Sequence, residues 1–172
     1  MSCAFRAATP ADLETVRQLA GRIWHACYPG IITPAQIRYM LGWMYAPHKL
    51  AGELARGVTY ELVERAGEPV GYLAHELQSA GATLHLNKLY LLPELQGQGL
   101  GQRMLRRVLA AAARAGAAHV ELRVNRANVR AVRAYERAGF QITATACLDI
   151  GAGYVMDDYV MRRAVTAADV DA

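Results

Sequence analysis

The chain has 172 residues, 53% of them hydrophobic, and a formal charge of +4. This length fits one domain with a substantial core, and no apolar run reaches the length of a membrane span. The N-terminal stretch MSCAFRAATPADLETV lacks the basic and apolar segments of a signal peptide. The three cysteines, Cys3, Cys27 and Cys147, form no CxxC pair, so we expect neither a disulfide framework nor a metal site. These features predict a cytoplasmic protein, and the heavy use of Arg and Ala suggests a GC-rich bacterial genome.

The charge excess is small, with 19 basic and 15 acidic residues. A nucleic-acid binder usually has denser basic runs with interleaved aromatic residues. A phosphate-rich ligand or an ordinary charged surface explains the excess as well. We therefore expect neither a nucleic-acid nor a membrane partner. A nucleic-acid binder is kept only as an alternative, and the charge is its sole support.

The first half of the chain predicts a strand followed by helices. Residues 3–8 are strand-like. Two helices follow, each with a threonine cap and a proline at the first helical position, at Thr9-Pro10 and Thr33-Pro34. Pro47 interrupts the pattern, and HKLAGELARG predicts one more short turn of helix.

The hydrophobic period then changes to that of strands. Runs at 58–65 and 69–78 are joined by the hairpin signal AGEP, and 82–92 is a third extended run after a break at 79–81. GLGQRMLRRVLAAAARAG is the strongest helix, and a strand, a helix and a final strand pair follow it. This order predicts a mixed sheet with helices on its faces, in one domain over residues 1–165. Residues 166–172 read as a short frayed tail.

A glycine-rich turn lies where the third extended run meets the strongest helix. Gly97, Gly99 and Gly101 let backbone N–H groups approach a ligand, and the helix start adds unpaired donors, so the segment predicts an anion site. A P-loop is excluded because Gln102-Arg103 stands where lysine and a hydroxyl residue belong. A dinucleotide fingerprint lacks its third glycine, although Glu121 lies at a tolerable distance for a ribose contact. A tight turn without a ligand also stays open.

Gln96-x-x-Gly99-x-Gly101 after an apolar strand resembles the acetyl-CoA signature of the GNAT superfamily of N-acetyltransferases. The segment NRANVRAVRAYERAGF resembles the second block of that superfamily, through Asn128, Ala131, Tyr135-Glu136 and Gly139-Phe140. The resemblance covers essentially the whole chain. It implies an α+β fold in which a mixed, mostly antiparallel sheet of about seven strands is flanked by helices. That sheet is splayed between its fourth and fifth strands. The ending GAGYVMDDYVMRR is also similar to bacterial polyamine (spermidine/spermine) acetyltransferases.

The resemblance implies acetyl-CoA as the cosubstrate and assigns residues to it. The pyrophosphate should lie on backbone N–H groups of the glycine turn, and the pantetheine arm should run beside the strand before it. Asn128 should bond that arm, and Tyr135 should lie near the sulfur. The implied binding set is Leu89, Tyr90, Leu91, Gln96, Gly97, Gln98, Gly99, Leu100, Gly101, Gln102, Asn128 and Tyr135.

Acetyl transfer to an amine needs a neutral amine, a donor for the carbonyl oxygen and a proton for the thiolate. Tyr135, with a reference pKa of about 10, is the candidate acid, and a backbone N–H near Leu91 is the candidate donor. His85, with a reference pKa of about 6.5, is the candidate base, directly or through water. His75, Glu76 and Asn87 are weaker candidates, and a water chain without a single base stays open.

The acceptor is expected to be a cation before it reacts, so an acidic wall would help to hold it. Adjacent Asp157 and Asp158 point to opposite faces of a strand, and Asp157 is the candidate substrate contact. The candidate aromatic residues of the acceptor pocket are Trp24, Tyr28 and Tyr39, although packing in the core or on the surface is the more common role of such residues.

We therefore predict an N-acetyltransferase that acetylates a primary amine of a small molecule or polyamine by direct attack. Acetylation of a protein N-terminus or lysine is the first alternative, and a non-catalytic acyl-CoA sensor is the second. A homodimer through the last strands is plausible.

Overall fold

Helices and strands follow one another in the predicted order within residues 3–78 and 81–170, which the computed structural model describes. Of the predicted break at 79–81, only Gly81 is among these residues. The elements are β1 (Cys3–Ala7), α1 (Leu13–Cys27), α2 (Pro34–Met44), α3 (Pro47–Ala55), β2 (Thr59–Arg65), β3 (Glu68–Leu77), β4 (Thr83–Leu91), α4 (Leu100–Arg114), β5 (His119–Asn125), α5 (Val129–Arg137), β6 (Gln141–Gly151) and β7 (Tyr154–Ala164).

The strands form a seven-stranded sheet in the order β1-β2-β3-β4-β5-β7-β6. β1 pairs with β2, β2 with β3, β5 with β7 and β6 with β7, all antiparallel. β4 and β5 are parallel, and their register joins Thr83–Leu86 to His119–Leu122. This confirms the mixed, mostly antiparallel sheet. The parallel pairing is short, as the predicted splay requires.

The chain divides into two compact units. The first comprises the residues up to Glu76 together with Lys88–Leu100, and the second comprises Leu77–Asn87 together with Gly101 onward. β4 supplies residues to both. The prediction of one domain over residues 1–165 stays a prediction, and the two units are described separately below.

In the first unit, prolines and threonine caps determine where the helices begin. The Thr33 hydroxyl accepts a hydrogen bond from Gln36 N at 3.1 Å, which confirms the predicted cap of α2. Thr9 caps a short 3₁₀ turn at Pro10–Asp12, and α1 begins only after it. Pro47 is predicted to interrupt the helical pattern, and it follows the break after α2 as the first residue of α3. Proline is tolerated there because it lacks only an N–H that the helix does not use.

In the second unit, β4 and β5 present one apolar face, formed by Leu84, Leu86, Val120 and Leu122, which are all buried. α4 buries a stripe of its own at helical spacing: Leu100, Met104, Leu105, Val108, Leu109 and Ala112. Two amphipathic surfaces of this kind form a core by covering each other's apolar residues. The other face of these strands carries polar side chains.

The expected frayed tail begins with an ordered turn. Thr166 caps a 3₁₀ turn at Ala167–Asp169, and Asp169 is only 5% exposed. Arg163 Nη2 donates to Asp169 Oδ1 at 3.0 Å, so an ion pair holds this turn against β7. The last two residues, Asp171 and Ala172, lie outside the described residues.

A buried ion pair joins α3 to β4 in the first unit. Lys88 Nζ lies 2.8 Å from Glu53 Oε2, and the two residues are 4% and 8% exposed. The Tyr60 hydroxyl donates to the same carboxylate oxygen. Burial lowers the pKa of Lys88, while Glu53 acts to raise it. The pairing therefore offsets the cost of burying an ammonium group.

We predict that Glu53→Gln lowers the free energy of unfolding by about 3 kcal/mol, because it leaves the Lys88 ammonium buried without a carboxylate. Urea denaturation measures this loss. Glu64→Gln is the control, since Glu64 contacts Arg6 Nε at 3.0 Å on the surface and exposed pairs contribute little. Equal losses for the two variants would contradict the account.

Candidate active site

The glycine turn lies between β4 and α4, at residues 96–101. Gly97 and Gly99 both have a φ of +80°, a conformation that side chains of L-residues disfavour. Both glycines are exposed, and a Cβ at either position would meet no atom within 4 Å. The backbone conformation therefore requires glycine at these two positions, and the space around them is open.

Gly101 has a different reason to be glycine. It lies in the first turn of α4 with an ordinary helical conformation, and a Cβ there would meet nothing within 4 Å. Neither strain nor packing calls for glycine, and alanine would favour the helix by about 0.5–1 kcal/mol. The N–H groups of a first helical turn lack intrahelical acceptors and carry partial positive charge. The residues present therefore fit a pyrophosphate placed close to this backbone.

Two glutamines beside the turn use their side-chain amides to hold neighbouring segments. Gln96 Nε2 donates to Leu91 O at 2.8 Å and lies 3.5 Å from Cys27 Sγ at the end of α1, all within the first unit. In the second unit, Gln102 Nε2 donates to Ala134 O at 2.9 Å, one residue before Tyr135. Gln98 lies on the exposed side and donates to Glu94 O.

The strand segment Leu89–Leu91 is placed by a close approach of β3. A Cβ on Gly71 would lie 2.6 Å from Tyr90 O, so only glycine lets the two strands come this near. The Leu92 N–H donates to Val70 O at 2.9 Å. Gly71 therefore fixes the backbone of the segment expected to accompany the pantetheine arm.

An aromatic cluster in the first unit contains two of the three aromatic residues predicted for the acceptor pocket. Trp24 stacks on Tyr28 at 4.5 Å between ring centroids and is only 1% exposed, so it is a core residue. The Tyr28 hydroxyl lies 3.3 Å from the Tyr90 hydroxyl, and both residues are half-buried. Tyr39, on α2, is also half-buried. Tyr28 and Tyr39 thus keep exposed surface, whereas Trp24 keeps almost none.

In the second unit, the candidate acid lies on a helix that Asn128 begins. Asn128 Oδ1 accepts a hydrogen bond from Ala131 N at 3.2 Å, which caps α5. The amide nitrogen of an asparagine remains a donor when its oxygen caps a helix. Tyr135 is half-buried, with its ring 5.9 Å from Phe140 in an edge-on arrangement. Cap and tyrosine are therefore held on the same short helix.

The candidate base His85 lies on the polar face of the second unit. It is directly opposite Glu121 on β5, and Glu121 is opposite Arg162 on β7. His85 Nδ1 is 3.8 Å from Glu121 Oε1, and Arg162 Nη2 donates to Glu121 Oε2 at 2.7 Å. The three side chains form a row across three strands.

The two adjacent aspartates of β7 have different surroundings. Asp157 lies near the surface and accepts a hydrogen bond from Arg126 Nη1 at 3.3 Å. Asp158 is 5% exposed, and burial raises its pKa to about 6. The carboxylate chosen from the sequence, Asp157, is thus the one with a cationic partner.

Several of these features have no sufficient local signal in the sequence. The strand alternation Leu84, Leu86, Lys88 on β4 would have placed Lys88 on the buried side, although not beside Glu53, which is 35 residues away. Gly71 gave no signal beyond an isolated glycine in a strand, which indicates a close backbone approach in general. The different burial of Asp157 and Asp158 depends on long-range strand pairing.

Comparisons with known proteins agree with this arrangement. Residues 19–140 match the model of the acetyltransferase (GNAT) family. An uncharacterised N-acetyltransferase of Mycobacterium tuberculosis is 33% identical over 153 residues, which cover 88% of this chain and 97% of the relative. The chain therefore belongs to the GNAT family and is an acetyl-CoA-dependent acyltransferase.

Two further similarities are more distant. Streptothricin acetyltransferase of Streptomyces lavendulae is 30% identical over 89 residues, covering 52% of this chain and 47% of that protein. The PaiA N-acetyltransferase of Thermoplasma acidophilum, solved in complex with coenzyme A, superposes with a TM-score of 0.81 at 22% identity. That match covers 95% of this chain and 99% of the other, and it shows the shared fold.

No helix within residues 3–78 and 81–170 is long and apolar enough to cross a membrane. No three His, Cys, Asp or Glu side chains among the same residues are grouped as metal ligands would be.

We predict that Gly101→Ala separates binding from stability. The free energy of unfolding should rise by about 0.5–1 kcal/mol, because alanine favours a helix. Coenzyme A should bind at least about tenfold more weakly, because the new methyl group occupies the approach to the first helical N–H groups. Calorimetric titration and urea denaturation measure the two effects.

Gly42→Ala is the matched control, since Gly42 is an exposed glycine of α2 whose Cβ would also meet no atom within 4 Å. It should be stabilised similarly and bind coenzyme A normally. Undiminished binding by Gly101→Ala would show that the ligand does not approach this turn.

Proposed function

We propose that the chain transfers the acetyl group of acetyl-CoA to a primary amine of a small molecule or polyamine. The observation that carries this proposal is the glycine turn. Gly101 leaves the first N–H groups of α4 accessible, although neither packing nor backbone conformation requires glycine at this position. Membership of the GNAT family gives the reaction class, and the turn gives a place for the pyrophosphate.

Direct attack by the amine is the proposed route, because acyl transfer from a thioester needs no covalent enzyme intermediate. Acetyl-CoA supplies the activated acetyl group. The chain's own residues then have two tasks: to donate to the carbonyl oxygen as it becomes negative, and to protonate the departing thiolate. We assign the first task to the backbone N–H of Leu91 and the second to the Tyr135 hydroxyl.

Other residues bind the cosubstrate in this proposal. The N–H groups between Gln96 and Gln102 receive the pyrophosphate, the backbone of Leu89–Leu91 accompanies the pantetheine arm, and the side-chain amide nitrogen of Asn128 donates to that arm. Support comes from the Gly71 contact that holds β4, and from the cap that leaves the Asn128 amide nitrogen available.

The acceptor class rests on similar proteins and on the aromatic cluster. One relative is named as a streptothricin acetyltransferase, and a spermidine N-acetyltransferase of Vibrio cholerae shares the fold, with a TM-score of 0.68 at 17% identity. The partly exposed rings of Tyr28 and Tyr39 suit an organic amine, since aromatic faces attract ammonium groups. Asp157 stays a predicted contact of the acceptor. A homodimer through the last strands also stays a prediction, and β6 is exposed along most of its length.

We predict that the protein releases free thiol from acetyl-CoA when a suitable amine is present, and that Tyr135→Phe lowers kcat by about 10²–10⁴-fold. The phenol proton is lost while the ring is kept, so acetyl-CoA should still bind. A panel of polyamines, aminoglycosides, amino acids and lysine peptides identifies the acceptor, and thiol release measures the rate.

Tyr154→Phe, at the start of β7, is the control and should retain the wild-type rate. Turnover only with lysine peptides would move the acceptor to proteins. Binding of acetyl-CoA without turnover of any acceptor would favour an acyl-CoA sensor.

A further inference from the structure

Asp158 is a buried carboxylate without a close partner. It is 5% exposed, and among the described residues its oxygens have neither a hydrogen bond nor an ion pair. Buried carboxylates in proteins are nearly always paired, because an unpaired one loses its hydration without compensation. Burial therefore disfavours the charged form of Asp158 and raises its pKa.

The strand register places Asp158 at the end of β5 from which the chain continues to α5. Asp158 is directly opposite Asn125, the last residue of β5. The chain continues from Asn125 into the short loop before α5, and Asn125 Oδ1 holds this loop through Ala127 N at 2.9 Å. Asn128, which caps α5, is three residues beyond Asn125, so Asp158 lies in the same unit as Asn128 and Tyr135, opposite the end of β5 from which the chain passes to α5.

The nearby cations do not neutralise it. Arg126 pairs with Asp157, which projects to the other face of β7, and its guanidinium lies 5.3 Å from the Tyr159 ring. Arg123, on the same face as Asp158, lowers its pKa only by longer-range attraction, and burial outweighs this. From β6, the residue opposite is the uncharged Ala146. Among residues 3–78 and 81–170, therefore, Asp158 has an attracting cation in Arg123 but no ion pair.

His85, the candidate base, lies elsewhere on this face. Its neighbour on β5 is Glu121, four residues before Asn125, which corresponds to about 13 Å along a strand. Glu121 is itself bonded to Arg162. The row His85–Glu121–Arg162 is therefore a separate group from Asp158.

We propose that Asp158 binds the ammonium group of the acceptor and takes its proton before attack. This assignment rests on the proposed function and adds the group that makes the amine nucleophilic. The ammonium gives one proton to the carboxylate, the neutral nitrogen forms the bond to the carbonyl carbon, and the carbon–sulfur bond breaks. The second nitrogen proton replaces the one that Tyr135 gives to sulfur, so the tyrosine hydroxyl is restored. Asp158 then releases its proton to solvent.

The raised pKa of Asp158 suits this role, since a base works best with a pKa near the operating pH. It also gives a test that needs no acceptor. The folded pKa of about 6 lies above the unfolded value of about 3.9. The stability associated with the neutral carboxyl is therefore fully present below about pH 4 and is lost as the pH rises through about 6.

The first experiment compares unfolding temperatures of the wild type, Asp158→Asn and Asp149→Asn at pH 8 and pH 5. Asp158→Asn should raise the midpoint by about 5 °C at pH 8 and much less at pH 5, because the amide carries no charge to bury. Asp149 is an exposed aspartate of β6, so its change should have little effect at either pH. No stabilisation of Asp158→Asn at pH 8 would overturn the proposal.

The second experiment measures kcat/KM against pH with spermidine and n-butylamine, together with any acceptor found in the panel. Asp158→Asn should lose about 10²-fold at pH 8 and lose the rise in rate near pH 6, while its Kd for acetyl-CoA stays unchanged. Asp149→Asn is the control and should keep both the wild-type rate and that rise. Asp157→Asn and His85→Gln test whether the rise belongs to either of those residues instead.

The outcomes separate the two claims. Acetyl transfer that Asp158→Asn retains, or a loss that follows Asp157 or His85 instead, contradicts the role of Asp158 alone. Acetyl-CoA binding without transfer by the wild type contradicts the proposed function, and the role of Asp158 with it.

Discussion

The start of α4 imposes the constraint on which the other proposed features depend. A helix leaves its first N–H groups without intrahelical acceptors, and here they follow a turn in which Gly97 and Gly99 must adopt positive φ angles. Gln96 fixes the turn to the Leu91 carbonyl, and Gln102 fixes the first helical turn to the carbonyl before Tyr135. Each glutamine thus holds its own end of the turn, Gln96 within the first unit and Gln102 within the second.

Two buried charged groups, Lys88 and Asp158, have opposite surroundings. Lys88 is buried against Glu53, and the Tyr60 hydroxyl completes the group, so the charges compensate each other. The chain has only two lysines among its 19 basic residues, and Lys88 is one of them. Within the part of the chain that the structure describes, Asp158 has no ion pair, and Arg123 attracts it only at longer range. We interpret the paired group as structural and the unpaired group as chemical.

Local signals in the sequence were sufficient for most of the fold. The caps at Thr9 and Thr33, the alternating strands and the glycine turn all depend on residues close together in the chain, and the structure has them where the sequence predicts. The sequence predicts only a short turn of helix within residues 48–57, whereas α3 is a helix of nine residues that begins at Pro47.

The site was less predictable, because its distinctive contacts are distant in sequence. Alternation along β7 shows that Asp157 and Asp158 face opposite ways, yet which of them is buried depends on pairing with β5 and β6. The Glu53–Lys88 contact, the row from His85 to Arg162 and the approach of Gly71 to Tyr90 likewise require the assembled sheet. The sequence resemblance supplied the identity of the ligand, and the structure added reasons for individual residues.

The central claim is that the glycine turn holds the pyrophosphate of acetyl-CoA. The most direct test is a titration of ¹⁵N-labelled protein, followed by NMR, with coenzyme A and with acetyl-pantetheine, which lacks the pyrophosphate. The account predicts that the amide resonances of Gly97, Gly99 and Gly101 shift strongly with coenzyme A and hardly with acetyl-pantetheine. Binding of coenzyme A that leaves these three resonances unchanged would contradict it.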